Sequence, residues 1–347
     1  MREVLLRAPH DILLNQRHVA ELRPDEVLVS VQVAGICGSD TAGYEGYSTE
    51  VSYPYVPGHE WAGIVAGIGD GVRGVSVGDM VVADPNEACG TCDICEQGMN
   101  PALCRNPRLF GFRTEFPGAF AEYIVRRESS LYRLPHGVSF EAGALVEPLS
   151  VAYHAIWDVG GGLKSGEQTA IFGAGPIGLL ALVAAKEAGA RAYCIDPVRK
   201  RLELASKLGA DEVIDPTTQD VAREISDLTG GKGVRMTVEA SGSPSASTTS
   251  LQITGTAGTI VLVGLSFGKV IPMELEKVID KGLTIKGASG TAGGFPHAIA
   301  IIAGKKFDIE TLITHRFPLE SAREAFETSK KKDEAVKVLL NTAEHSK

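Results

Sequence analysis

The stretch Gly173-Ala174-Gly175-Pro176-Ile177-Gly178 constrains this chain more than any other. It fits G-x-G-x-x-G, which is weak evidence by itself, so its surroundings carry the argument. A short apolar run, 168–172, precedes it as a strand. A helical run over 178–189 follows and ends at glycine. A second strand, 191–195, leads into Asp196. Strand, glycine turn, helix, strand and an acid about 20 residues on make up a dinucleotide-binding fingerprint. Gly173 permits the tight turn, Gly175 lets backbone approach a pyrophosphate, and Gly178 lets helix and strand pack closely. The helix N-terminus then offers N–H donors and positive potential to phosphates. Asp196 can accept hydrogen bonds from a ribose diol and would repel a 2′-phosphate, which favours NAD over NADP. In Arg199-Lys200-Arg201 just beyond, either one residue holds a phosphate or the run is a solvated helix start. The plain alternative for the whole motif is a structural glycine turn.

The alternation continues with a helix at 200–209 and strands at 234–239 and 259–264. Strands alternating with helices predict βαβ units and a parallel sheet. Residues 1 to about 150 read differently, with short Val- and Gly-rich strands at 27–33 and 64–68 and a turn entering another at 78–82. That pattern predicts a β-rich, barrel-like domain. After about residue 288 the character is mixed, with helices at 295–305 and 319–331 and a closing strand at 336–340. A length of 347 residues suits two domains. With 44% hydrophobic and 22% charged residues the chain reads as soluble and globular. A net charge of −9 argues against a nucleic-acid footprint. Met1-Arg2-Glu3-Val4 shows no signal-peptide core, and the apolar run at 177–185 is too short to span a bilayer. A cytoplasmic setting with reduced thiols and no membrane partner is expected.

Two groups of residues predict metal. Cys89, Cys92 and Cys95 are spaced by two residues, and Cys104 follows. Four thiolates complete a tetrahedral site with no open position, so this metal would be structural; disulfides or buried free thiols are the alternatives. Cys37, His59 and Glu60 offer a thiolate, an imidazole and a carboxylate, a set that can bind Zn²⁺ and leave a position open for catalysis. Taken singly, a buried Cys and a core His would be ordinary. Glu147 could be a fourth ligand, could bind a metal-held water, or could be a helix-start acid.

These motifs together resemble the zinc-containing medium-chain alcohol dehydrogenases. Gly58-His59-Glu60 with Gly63, Gly69 and Val72 matches their zinc signature. Cys37-Gly38-Ser39-Asp40, the four-cysteine lobe, Glu147-Pro148-Leu149-Ser150-Val151, the glycine motif and Glu239-Ala240-Ser241-Gly242 follow in the family's order. The tail Thr314-His315-Arg316-Phe317-Pro318-Leu319-Glu320 with Ala325-Phe326-Glu327 is similar to the sorbitol, or polyol, branch. The resemblance implies an α/β protein with a GroES-like catalytic domain at 1–150 and 289–347, its structural-zinc lobe at about 85–110. It implies an NAD-binding Rossmann domain at 151–288 and an active cleft between the two. It implies two zinc ions per subunit: one on Cys37, His59, Glu60 and Glu147 or its water, the other on the four cysteines. Ser39 would hydrogen-bond the reacting hydroxyl and Asp40 would support His59. The expected cofactor contacts are Gly173, Gly175, Pro176, Ile177, Gly178, Asp196, Arg201, Val263, Gly264 and Leu265.

The implied activity is reversible hydride transfer from a secondary alcohol, a polyol, sugar or cyclitol, to NAD, in a homotetramer or homodimer. Amino-alcohol or diol oxidation of the threonine or butanediol type is the alternative within the class. A non-catalytic nucleotide-binding relative is the alternative outside it. Three departures narrow the match. Eight residues rather than seven separate Cys95 from Cys104, Ala42 stands where many relatives carry a relay histidine, and no arginine lies near Ala288-Ser289-Gly290. His154 is read as a packed structural histidine and Cys194 as core. Tyr44, Tyr47, Phe110 and Phe112 line either a substrate pocket or the lobe.

Overall fold

Val27, Val29 and Val31 are fully buried and alternate with half-buried neighbours in one long strand, Glu26–Gly35. Period-two burial of this kind pins strand register, because a one-residue slip would turn every valine to the other face. In the computed structural model, which describes residues 1–19 and 21–343, this strand lies inside a seven-stranded sheet. Glu60–Ile68 flanks it on one side and Lys337–Asn341 on the other, both antiparallel to it. Tyr123–Arg127 also pairs with its first half. Ile313–Pro318 adds at one edge, and Met80–Ala83 and Leu131–Arg133 extend the other. The sheet belongs to a unit formed by Met1–Glu147, Phe295–Lys305 and the chain from Glu310 on.

Register places Gly35 directly opposite Glu60 in one neighbour and Leu339 in the other. A Cβ on Gly35 would lie 2.5 Å from Glu60 Oε2. Glycine inside a strand often marks such a close approach.

The second unit, Pro148–Gly294 with Lys306–Ile309, is built on six parallel strands. Their spatial order is Glu212–Ile214, Arg191–Ile195, Gln168–Phe172, Val234–Glu239, Thr254–Leu262, Thr284–Gly287. Counted along the chain this is 3-2-1-4-5-6, the doubly wound order of a Rossmann fold. Helix Pro176–Glu187 buries every residue from Gly178 to Ala185, which explains its near-continuous apolar sequence. The strand read at 259–264 is longer and earlier, Thr254–Leu262. Between Thr254 and Thr259 the strand bulges, with Ala257 at φ 56° and the register against Val234–Glu239 shifted. The helix read at 319–331 is a 3₁₀ turn, Leu319–Ser321, followed by Ala322–Ser329. Among the described residues no helix is long and apolar enough to cross a membrane.

Candidate metal centre and nucleotide cradle

Cys37 caps the N-terminus of a short helix, Gly38–Glu45, that weak apolar patterning hides in the sequence. The Asp40 carboxylate reaches back to the Cys37 N–H (2.9 Å) and also accepts from Gly58 N–H (3.2 Å). One acid therefore ties the Cys37 turn to the segment that delivers His59 and Glu60. Cys37, His59 and Glu60 present ligand atoms within 4.8 Å of one another. His59 Nδ1 lies 3.5 Å from Asp40 Oδ1, an ion-pair contact at the outer limit of hydrogen bonding. Its Nε2 faces Ser39 Oγ at 3.4 Å. Burial opposes charge on His59, but Asp40 and then Cys37 outweigh it and hold its pKa well above the ordinary value.

Glu60 is divided between two roles. Its Oε2 accepts a 2.5 Å hydrogen bond from Lys337 Nζ, while Oε1 is buried with no partner among the described residues. Lys337 is 2% exposed and also donates to Ile36 O (3.2 Å). Burial works against the lysine's charge, but Glu60 and Cys37 prevail and raise its pKa. Sequence reasoning missed Lys337 and Gly35. The available signal was a lone lysine at the head of an otherwise apolar closing strand. Glu147, in the first turn of helix Val146–His154, is buried too. Burial pushes its carboxyl pKa up to about 8; His59 works against that rise and Glu60 adds to it.

The donor set fits Zn²⁺: sulfur, nitrogen and an otherwise unpaired buried carboxylate oxygen converge, with a carboxylate behind the imidazole. The second cluster fits as well. Cys89, Cys92, Cys95 and Cys104 are all free thiols, with Sγ–Sγ separations of 3.5 to 3.9 Å along four of the tetrahedron's edges. A tetrahedron with Zn–S of about 2.3 Å has edges near 3.8 Å.

The four aromatics separate. Phe112 stacks on His59 with ring centroids 4.8 Å apart, and Phe110 packs under Arg126. Tyr44 is buried against Phe326 and donates to Glu327, whereas Tyr47 is 64% exposed. His154 pairs with Asp158 at 2.8 Å, and Cys194 is buried in its strand.

In the second unit, Gly173 has φ 90° and a Cβ there would sit 3.0 Å from Ser241. A Cβ on Gly178 would strike the Gly173 carbonyl, so both positions exclude side chains. Gly175 caps the helix that Pro176 and Ile177 open, and a Cβ there would lie 3.5 Å from Arg201 Nη1. The carboxylate of Asp196 accepts from Ala174 N–H (2.7 Å) and Val198 N–H (2.8 Å), bracing the glycine turn. Val263 and Gly264 both donate to Glu239 O at 2.8 Å, and Leu265 is 64% exposed. These cleared backbone positions fit a pyrophosphate.

Residues 23–136 match the alcohol dehydrogenase GroES-like domain, and residues 176–304 match the zinc-binding dehydrogenase domain. The sorbitol dehydrogenase of Bacillus subtilis (strain 168) is 33% identical over 346 residues, 98% of this chain and 97% of that one. This chain belongs to the zinc-binding medium-chain dehydrogenase/reductase family. The dehydrogenase is also 37% identical to L-threonine 3-dehydrogenase of Pyrococcus horikoshii over 88% of both chains. A solved Sinorhizobium meliloti 1021 structure bound to NADP superposes with a TM-score of 0.92 at 29% identity, covering 98% of each chain. The dehydrogenase is accordingly a zinc- and NAD(P)-dependent oxidoreductase acting on CH–OH groups.

Proposed function

We propose that the dehydrogenase oxidises a secondary alcohol of a polyol, sugar or cyclitol, with NAD as acceptor and the ketone as product. The observation that carries this reading is the convergence of Cys37, His59 and Glu60 beside the Ser39 hydroxyl. Zinc and the dinucleotide would supply a Lewis acid and a hydride acceptor when bound. Cys37, His59 and Glu60 would hold the metal, with Glu147 a further ligand or the holder of a water. The four cysteines would hold a second, structural ion.

The chain's own residues define the rest. Ser39 would take the hydrogen bond of the substrate hydroxyl and pass its proton on, a role its Oγ, 3.4 Å from His59 Nε2, supports. Asp40 orients His59, and Lys337 engages one oxygen of Glu60 so that the other remains available. Ala42 offers no relay, so the proton would leave through the ribose hydroxyl or through a water held by Glu60 or Glu147. Asp196 keeps lone pairs beyond its two backbone hydrogen bonds, which a ribose diol could use; this supports NAD over NADP. The family resemblance supports a homodimer or homotetramer, and the reduced thiols suit a cytoplasmic setting.

Relatives naming sorbitol and threonine keep a second reading open, oxidation of an amino alcohol or simple diol. NADH absorbance over polyols, cyclitols, aldoses, threonine and butanediol tests both. Turnover of polyols or cyclitols is expected. Activity confined to threonine or butanediol would select the second reading, and activity confined to primary aliphatic alcohols would overturn both. Repeating the screen with NADP tests the acceptor.

A further inference from the structure

Arg126 lies on strand Tyr123–Arg127 with 1% of its surface exposed, an uncommon place for a guanidinium. Its Cζ sits 3.7 Å from the centre of the Phe110 ring. Its Nη2 donates to Asp84 O (2.5 Å) and Glu87 Oε1 (3.2 Å). Nε and Nη1 are buried with no partner among the described residues, and Glu87 Oε2 lacks a hydrogen bond as well. Burial pushes the guanidinium pKa down, against the pull of Glu87. A side chain this incompletely satisfied is a poor way to gain stability, since an apolar residue of similar length would fill the space at less cost. Its planar cation does something an apolar residue cannot: it grips a ring face and a carbonyl at once.

The gripped groups are informative. Asp84 and Glu87 enter the four-cysteine lobe, and Asn86–Glu87 pairs with Arg108–Leu109, which leave it. Phe110 N–H donates to Pro85 O (3.1 Å), closing the root of the lobe. From Phe110 the chain runs directly to the metal centre. Gly111, at φ 87°, packs so tightly on Gly58 that a Cβ would lie 2.9 Å from its carbonyl oxygen. The next residue, Phe112, stacks on His59. Gly111 N–H donates to Phe116 O (2.9 Å), which closes the loop behind them.

We propose that Arg126 is a positioning residue for the metal centre. By clamping Phe110 and the lobe root it fixes the short segment that holds Phe112 on His59, and so links the four-cysteine lobe to the imidazole. The inference rests on Cys37, His59 and Glu60 being the metal ligands. It makes the affinity of that centre depend on a side chain that touches none of the three.

The test uses the full-length protein with zinc retained in the four-cysteine lobe, checked by metal analysis, and Co²⁺ in the other centre. Chelator competition gives the Co²⁺ dissociation constant, and the visible spectrum reports its surroundings. Arg126→Met and Phe112→Leu are each expected to weaken Co²⁺ binding about tenfold, the scale found for groups that orient ligands. The double variant should be no weaker than either single one, because both changes release the same imidazole. If Arg126→Met does not fold or loses its lobe zinc, Phe110→Leu removes the gripped ring while keeping the cation, and the same loss is expected. Unchanged Co²⁺ affinity in the Arg126 or Phe110 variant, or losses that multiply in the double variant, would overturn the inference alone. Wild-type protein that binds no Co²⁺ at this centre would overturn the ligand assignment and the inference together.

Discussion

Lys337 and Glu60 form a buried ion pair whose members lie 277 positions apart in the chain. Removing one partner of such a pair leaves an uncompensated charge, which costs about 3 kcal/mol or more. Lys337→Met should therefore lower the melting temperature sharply in protein treated with chelator, and less when zinc is present to take up the charge of Glu60. Equal losses with and without metal would show that Glu60 does not face the ion. Glu147 supports a pH prediction. In the metal-free site burial pushes its carboxyl up to about 8, and a bound zinc ion would lower it. If the glutamate carries the proton onward, kcat rises with pH as the carboxylate ionises, and Glu147→Gln loses that limb; an unaltered profile in the variant would exclude the glutamate route. The sequence made the chemical types of the ligands legible, since Cys37, His59 and Glu60 stand in recognisable spacing. It did not disclose Lys337, because a lysine entering an apolar strand reads as an exposed edge charge until the strand's neighbours are known.

At the level of elements, two glycines carry opposite lessons. Gly178 was legible from its motif, and its role follows from the carbonyl of Gly173 filling the space a side chain would need. Gly178→Ala should raise KM for NAD at least about tenfold by forcing the helix from the turn, with kcat changed much less. A kcat effect alone would point to another role. Gly35 was not legible, since a glycine ending a strand looks like a turn signal. Only cross-strand register shows that it makes room for Glu60. Gly35→Ala should weaken metal binding at the Cys37 centre while leaving the four-cysteine zinc in place, read by metal analysis after dialysis. The helix Gly38–Glu45 was hidden for a different reason: at two turns it has too little apolar periodicity to announce itself.

At the scale of the whole molecule, the two candidate metal centres are built differently and should fail separately. The four thiols offer a closed donor set, whereas Cys37, His59 and Glu60 are three donors. A chelator should abolish activity in a fast phase, with one ion released and the melting temperature little changed. A slow phase should follow, with a second ion released and the lobe opened. Release of both ions in one phase would count against separate sites. The parallel sheet was the most legible part, because its four central strands are local apolar runs; the short or exposed strands Glu212–Ile214 and Thr284–Gly287 carry no such signal. The metal-bearing sheet was the least legible, because it is assembled from segments near both ends of the chain. That assembly has a consequence for biosynthesis. Residues 148–294 leave the ribosome nearly complete as a unit, whereas the end of strand Glu26–Gly35, at Val33–Gly35, waits for Lys337–Asn341. At about 5–20 residues per second, that wait is on the order of tens of seconds. During it the nascent chain exposes an unpaired strand edge and a carboxylate without its ammonium partner, and this is the interval in which a chaperone would matter most.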